Sequence, residues 1–302
     1  MFTTILGLGA TALELGLISS LTVLALFLSY SMLNVCDLST DGCFTLGAAV
    51  GAVVAISGHP YLSIVVALGV GMISGCITAL LQTKMGIDSL LSGIIVNTGL
   101  YSVNIAIMGG ASLLNMNKTE TVFTKAKTLL SGTFMSSQYR LVVVILFVVL
   151  ALVLLTWFLK TRLGLAIRAT GNNPDMVKSS SINPAFTTIV GLCLSNSLTA
   201  LSGCLLAQSQ KSVNVTIGSG MVTIALASLL IGRAFIGKGG IGMRAFGAVI
   251  GAFVFRLVYT IALRFNLPAY MLKLVSSVIV IIAIAGPYFK KRIPEFRRKG
   301  NA

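Results

Sequence analysis

The sequence predicts an all-α polytopic membrane protein with about nine transmembrane helices, and three observations carry that prediction. Of the 302 residues, 56% are hydrophobic and only 10% are charged, with a mean hydropathy of +0.98; a soluble domain carries about a quarter charged residues. Apolar runs approaching or reaching the roughly 17–25 residues that span a bilayer recur from one end of the chain to the other. Lys and Arg gather in alternate connections between these runs, the asymmetry that orients membrane proteins.

Taken in order, the candidate spans are 12–33, 42–57, 60–82, 88–110, 139–160, 185–207, 217–236, 241–263 and 269–289, within one transmembrane domain covering 1–302. The first begins within the N-terminal stretch MFTTILGLGATALELG, which has no basic n-region and no small-residue cleavage site, so this span is expected to persist in the mature protein. The second is short and Gly-rich, the signature of a short or broken helix. Most connections are brief turns marked by Gly, Pro, Asn or Asp. The two long ones are 111–138 and 161–184.

The tail 290-KKRIPEFRRKG-300 carries six Lys or Arg and is assigned to the cytoplasm. Counting back places Lys84, the Lys160–Lys178 connection, and Arg233, Lys238 and Arg244 on the same side. The N-terminus then lies outside. The net charge of +15 belongs mostly to a cytoplasmic face beside anionic lipid and requires no nucleic acid.

Cys36, Cys43, Cys76, Cys193 and Cys204 lie in or beside apolar runs without C-x-x-C spacing, so they are read as small packing residues. His59 has no second histidine with which to share a metal. No metal and no cofactor is expected. The stretch 232-GRAFIGKGG-240 has the spacing of a phosphate-binding loop, but Gly239 stands where a Ser or Thr would hold Mg²⁺, and no strand can precede it in a membrane helix.

Two short texts, 19-SSLT-22 and 196-NSLT-199, open the cores of the first and sixth spans, at an offset of 177 residues. The Gly-rich starts of the second and seventh spans, Asp41-Gly42 and Gly218-Ser219-Gly220, follow at nearly that offset. Because the first span begins outside and the sixth inside, the halves would be inverted repeats, a construction many transporters use.

The segment 161-TRLGLAIRATGNNPDMVKSSSIN-183 is too polar to span and too long for a turn. Its mix of apolar residues with Arg162, Arg168 and Asn172 predicts a short amphipathic helix along the cytoplasmic surface, stopped by Gly171-Asn172-Asn173-Pro174. It is either a membrane-hugging basic loop or a docking element for a cytoplasmic partner.

Here the sequence resembles a family of ABC importer permeases serving branched-chain amino acids, ribose-type sugars and nucleosides. The resemblance rests on Thr161-Arg-Leu-Gly164-x-x-x-Arg168-Ala-x-Gly171-x-Asn173, on 37-DLSTDGCFTLGA-48, and on 218-GSGMVTIALASLLIG-232 with 239-GGIGMRAFGAVIGA-252. The chain departs from the family at Ser181, where Gly is usual, and in 218–227, which lacks an acidic residue that many members carry. The run 90-LLSGIIVNTGLYSVNIAIMGGASL-113 resembles a subgroup encoded beside lipoproteins that bind tryptophan or tyrosine.

The resemblance implies a cytoplasmic ABC ATPase subunit, an extracytoplasmic substrate-binding lipoprotein, a second copy of the chain and a bacterial plasma membrane. ATP hydrolysis would belong to the separate partner chain. The 161–183 segment would be the coupling helix, with Gly164 allowing close approach to the ATPase, Arg168 offering a bidentate fork, Gly171 ending the helix, and Asn172 and Asn173 following.

Asp37 and Asp41 are spaced at i and i+4 and either cap the short second span or line a pathway. Asn97, Tyr101 and Asn104 fall on one stripe of the span 88–110 and either hold it to neighbours or line the same pathway. Glu14 and Arg256 lie at similar depth and could pair, although snorkelling of Arg256 to the interface is simpler.

An intramembrane enzyme is disfavoured, since neither H-E-x-x-H nor G-x-S-x-G occurs. A self-contained ion-coupled transporter remains an alternative with no need for a docking helix. An importer of a nucleoside or sugar is the nearer alternative to an importer of an amino acid.

Overall fold

The computed structural model describes residues 2–129, 138–236, 239–263, 274 and 277–281, with side chains from Ala12 onward. The order of elements is α1 (Phe2–Leu26), a π-helical turn (Phe27–Met32), α2 (Thr40–Ile56), α3 (Pro60–Thr83), α4 (Ser89–Ile107), β1 (Leu113–Asn115), α5 (Val122–Leu129), α6 (Tyr139–Lys160), α7 (Arg162–Asn172), α8 (Pro174–Ser179), α9 (Pro184–Gln210), β2 (Ser212–Asn214), α10 (Met221–Phe235) and α11 (Ile241–Leu263).

Among the described residues, six helices are long and apolar enough to cross a membrane, and α2 and α10 are shorter apolar helices. The expected span 269–289 lies largely outside the described residues. The span expected at 217–236 begins only at Met221, because residues 217–220 form turns. In the 161–184 connection the structure forms two helices, α7 and α8, where one was expected.

α1 and α9 are the most buried of the membrane-length helices, whereas α3, α4 and α6 expose most of their apolar surface, as lipid-facing helices do. The central pair runs antiparallel. Ser209 Oγ donates to Glu14, Ser202 Oγ to the Ile18 carbonyl and Ser195 Oγ to the Ala25 carbonyl, so position falls along α9 as it rises along α1. Around this pair the halves exchange roles: α3 packs on α2 and α9, and α11 packs on α10 and α1. Both halves also place an irregular link between a long helix and a short one, residues 33–39 before α2 and 215–220 before α10.

Small residues set the spacing of these helices. A Cβ at Gly47 would overlap the Ala200 backbone, and one at Gly203 would overlap the Phe44 carbonyl oxygen. Gly232 is also a packing residue. It lies inside α10 against Gly247 of α11, so the residues that mimic a phosphate loop begin within a helix.

A small antiparallel sheet, β1 with β2, pairs Leu113 with Asn214 and Asn115 with Ser212. It ties the 111–138 connection to the end of α9. Nearby, Gln208 accepts from the Val122 N–H at 2.9 Å and donates to Ser63 Oγ at 2.7 Å, joining three elements at one side chain. Glu14 and Arg256 form no ion pair among the described residues. The Arg256 guanidinium stands 5.4 Å from the Tyr259 ring centroid instead.

Candidate functional site

The N-termini of the two short helices meet. Asp41, in the first turn of α2, accepts hydrogen bonds from the Gly220 and Val222 N–H groups, each at 2.8 Å. The first amides of a helix have no partner within it, and the N-cap of α10, Gly220, has no side chain to supply one. An acid from the other half of the chain satisfies them, favourably placed against the positive end of the helix dipole. Thr45 Oγ1, one turn along α2, accepts from Gly218 N–H at 3.2 Å. Gly218 fits there because a Cβ would overlap the Asp41 carbonyl oxygen.

Beside this junction lies a cavity of about 500 Å³. Asp41, Gly42 and Thr45 of α2 form one wall, Asn97, Tyr101 and Asn104 of α4 another, and Thr216 and Ser219 of the link before α10 a third. Asn104 is buried, and its Nδ2 donates to the Gly42 carbonyl at 3.2 Å. Among the described residues, its Oδ1 has no partner. Tyr101 keeps 51% of its surface exposed. The lining offers hydrogen-bonding groups, one carboxylate and an aromatic face, which suits holding and passing a small polar solute.

Asp37 is not at this cavity. It is fully buried in the link before α2, where its carboxylate accepts from Ser39 N–H at 2.8 Å, Ser39 Oγ at 2.6 Å and Asn196 Nδ2 at 2.8 Å. The expectation that Asp37 and Asp41 share a helical turn fails because the helix begins at Thr40. Asp37 anchors the link to α9. Asp41 is a cap, but of α10 rather than of α2, and it also lines the cavity.

The cytoplasmic segment is organised by two caps. Thr161 Oγ1 accepts from Gly164 N–H at 3.3 Å at the start of α7, and Asn173 Oδ1 accepts from Asp175 and Met176 N–H at 3.1 Å at the start of α8. Asn172 is exposed. Arg168 is half-buried and makes no hydrogen bond or ion pair among the described residues. Gly164 faces inward, so the expected approach to a partner surface is corrected: a Cβ there would overlap the Phe158 carbonyl oxygen of this same chain. Gly171 does not end α7 in a left-handed conformation either. It lies within the helix, and a Cβ would overlap the Met32 carbonyl oxygen.

Thr45 and Thr216 were not singled out as site residues in the sequence, and Ser219 and Asn196 appeared there only in the short texts that define the repeat or carry the family resemblance. The offset of 177 residues sets Asp41 opposite Gly218, Gly42 opposite Ser219 and Ser19 opposite Asn196, and it carries no signal for Thr45 or Thr216.

The family described as the permease component of a branched-chain amino acid transport system matches residues 10–284. The chain belongs to this family. The permease is 32% identical to the tyrosine transport system permease protein of Clostridioides difficile (strain R20291), over 89% of this chain and 88% of that one. It is 28% identical to the probable branched-chain amino acid transport permease protein LivH of Methanocaldococcus jannaschii, over 76% of this chain and 73% of that one. Identity to the ribose import permease protein RbsC of Escherichia coli (strain K12) is 24%, over 82% of this chain and 75% of that one. No solved structure matches the permease.

The permease is thus a multi-pass membrane protein of the ABC importer permease family. Its two departures from the family pattern now have a structural setting. The start of α10, which has no acid of its own, is capped by Asp41. Ser181 adopts a φ of 59°, the left-handed region that Gly occupies without steric cost.

Proposed function

We propose that the permease is the membrane subunit of an ATP-driven importer that carries an amino acid, an aromatic one by preference, across the bacterial plasma membrane. The observation that carries this reading is the half-open polar cavity between α2, α4 and the start of α10, set among helices whose other faces are apolar. The similarity to a tyrosine transport permease favours the amino acid. A binding lipoprotein outside would deliver the solute, a second copy of the chain would complete the membrane half, and a separate ATPase would bind below. The N-terminus faces outside and the C-terminus the cytoplasm.

In this reading α7 is the coupling helix. Its Leu163 and Leu165 are exposed, with Arg168 unpaired nearby, while Ile167 is fully buried. The inner face rests on Met32 through Gly171, and Thr170 and Thr187 share a hydrogen bond of 2.8 Å that ties α7 to α9. Met32 ends the π-helical turn, Leu33 begins the link, and the link leads through Asp37 into α2 and Asp41. Movement of α7 would therefore reach the cavity along continuous backbone. This is rigid-body gating through a packed contact.

The test is accumulation of labelled tyrosine in proteoliposomes holding the permease, its ATPase and its binding lipoprotein. Uptake is expected only with ATP, and Arg168→Glu should abolish it while lowering recovery of the ATPase with the permease. Uptake of ribose or a nucleoside in place of tyrosine would overturn the amino acid assignment. Uptake driven by an ion gradient without the ATPase would overturn the importer itself.

A further inference from the structure

We propose that Asp41 recognises a primary ammonium group on the transported solute, with Asn104 as a second acceptor; this rests on the cavity being the pathway. Among the described residues, Asp41 is the only charged side chain lining the cavity. Each of its carboxylate oxygens accepts one backbone N–H from the start of α10. A carboxylate has about four acceptor sites, so two are left unspent, and Asp41 is only part-buried.

Asn104 adds to this surplus of acceptors. Its amide orientation is fixed, because the atom facing the Gly42 carbonyl must be the donor. That leaves Oδ1 as a buried acceptor without a donor. A buried polar atom without a partner is costly, and a carboxylate held by backbone amides in a membrane interior still lacks an opposite charge. An ammonium has three donors, no acceptor and the opposite charge, so it answers the Asp41 carboxylate directly, and it reaches the Asn104 acceptor on the neighbouring wall once a small shift of α4 uncovers Oδ1. The exposed ring of Tyr101 on the same wall offers an aromatic face, to which cations are attracted. Neutral sugars and nucleosides carry no such cation, whereas amino acids and amines do.

The experiment uses the full chain in proteoliposomes, with its cysteines replaced by alanine and Ser102→Cys introduced at the cavity wall. The rate of labelling by a maleimide is measured with tyrosine, tyramine, the des-amino analogue of tyrosine, or ribose. Tyrosine and tyramine should slow labelling, at concentrations about tenfold below those at which the des-amino analogue acts. Asp41→Asn, which keeps an acceptor for the α10 amides, should erase that difference, and Asp41→Glu should restore part of it.

Equal protection by the des-amino analogue and tyramine would overturn the proposal, as would protection by none of the four. The comparison of solutes needs no change at Asp41, so the test survives if Asp41→Asn does not fold. ATP-driven tyrosine uptake by the assembled transporter is read separately. If that uptake occurs without any ammonium preference in labelling, the ammonium assignment falls and the importer stands. If ribose alone protects and is the solute accumulated, both fall.

Discussion

Gly171 of α7 lies directly against the carbonyl of Met32, the last residue of the π-helical turn. Any side chain at 171 must push α7 away from the link between α1 and α2. Overpacking of this kind costs about 1–3 kcal/mol when the neighbour is backbone and cannot yield. Gly171→Ala is therefore expected to lower ATP-driven uptake sharply while the chain still reaches the membrane and still binds its ATPase through the outer face of α7. Gly99→Ala, at a position with open space around it, is the control and should transport normally. Normal uptake by Gly171→Ala would show that the seat of α7 on Met32 transmits nothing.

Ser181 gives a prediction of opposite sign. Its φ of 59° lies where a side chain crowds the following carbonyl, at a cost of roughly 1–2 kcal/mol that Gly avoids. It follows the last turn of α8, with Ser181 N–H donating to the Lys178 carbonyl at 3.1 Å. Ser181→Gly removes the strain, although Gly gives some of that back through a freer unfolded chain. The expected outcome is a small rise in the thermal midpoint of the purified permease, with unchanged uptake. A fall would mean that the Ser181 hydroxyl contributes a stabilising contact that outweighs the strain.

The long spans, the polar 161–184 connection and the stripe of Asn97, Tyr101 and Asn104 were legible because each is a local pattern. Length marks a span, and a spacing of i, i+4, i+7 puts three side chains on one face of α4. The Asp41 contact with α10 was not legible as such. It joins residues about 180 positions apart, and no period in the sequence reports a carboxylate that leaves its own helix uncapped to cap another. Gly171 was misread for a related reason. A glycine needed for a left-handed turn and one needed for close contact look alike in sequence, and here it is the contact. Strands of three residues, as in β1 and β2, leave no usable alternation.

Orientation is tested at two exposed positions, Lys118 between α4 and α6 and Asn172 at the end of α7. The charge bias puts the first outside and the second in the cytoplasm. In a chain without native cysteines, Lys118→Cys should react with an impermeant thiol reagent in intact cells, and Asn172→Cys should react only after permeabilisation. The reverse pattern would invert the topology and remove α7 from the reach of a cytoplasmic ATPase.

The link between α1 and α2 depends on a buried charge that donors surround. Asp37 receives three hydrogen bonds, two of them from Ser39 and one from Asn196 of α9. Asn196 is itself fully buried, and its Oδ1 has no partner among the described residues. Replacing one member strands the other. Asn196→Ala leaves a carboxylate oxygen without its donor, and Asp37→Asn either sets an NH₂ group against the Asn196 Nδ2 or forces the Asn196 amide to flip and present its Oδ1, exchanging a charge-assisted bond for a weaker neutral one. Each should destabilise by about 1–3 kcal/mol. The exchange Asp37→Asn with Asn196→Asp restores a donor facing an acceptor across the same gap. It also leaves the residue 37 carbonyl oxygen free to accept from Ser39. The doubly exchanged chain should therefore regain a large part of the lost thermal stability, which a purely steric role for these two residues would not allow. Additive losses in the double variant would show that the pair does not interact as a unit. In that case the link would be held by its backbone contacts and by the packing of Leu33 between α7 and α9.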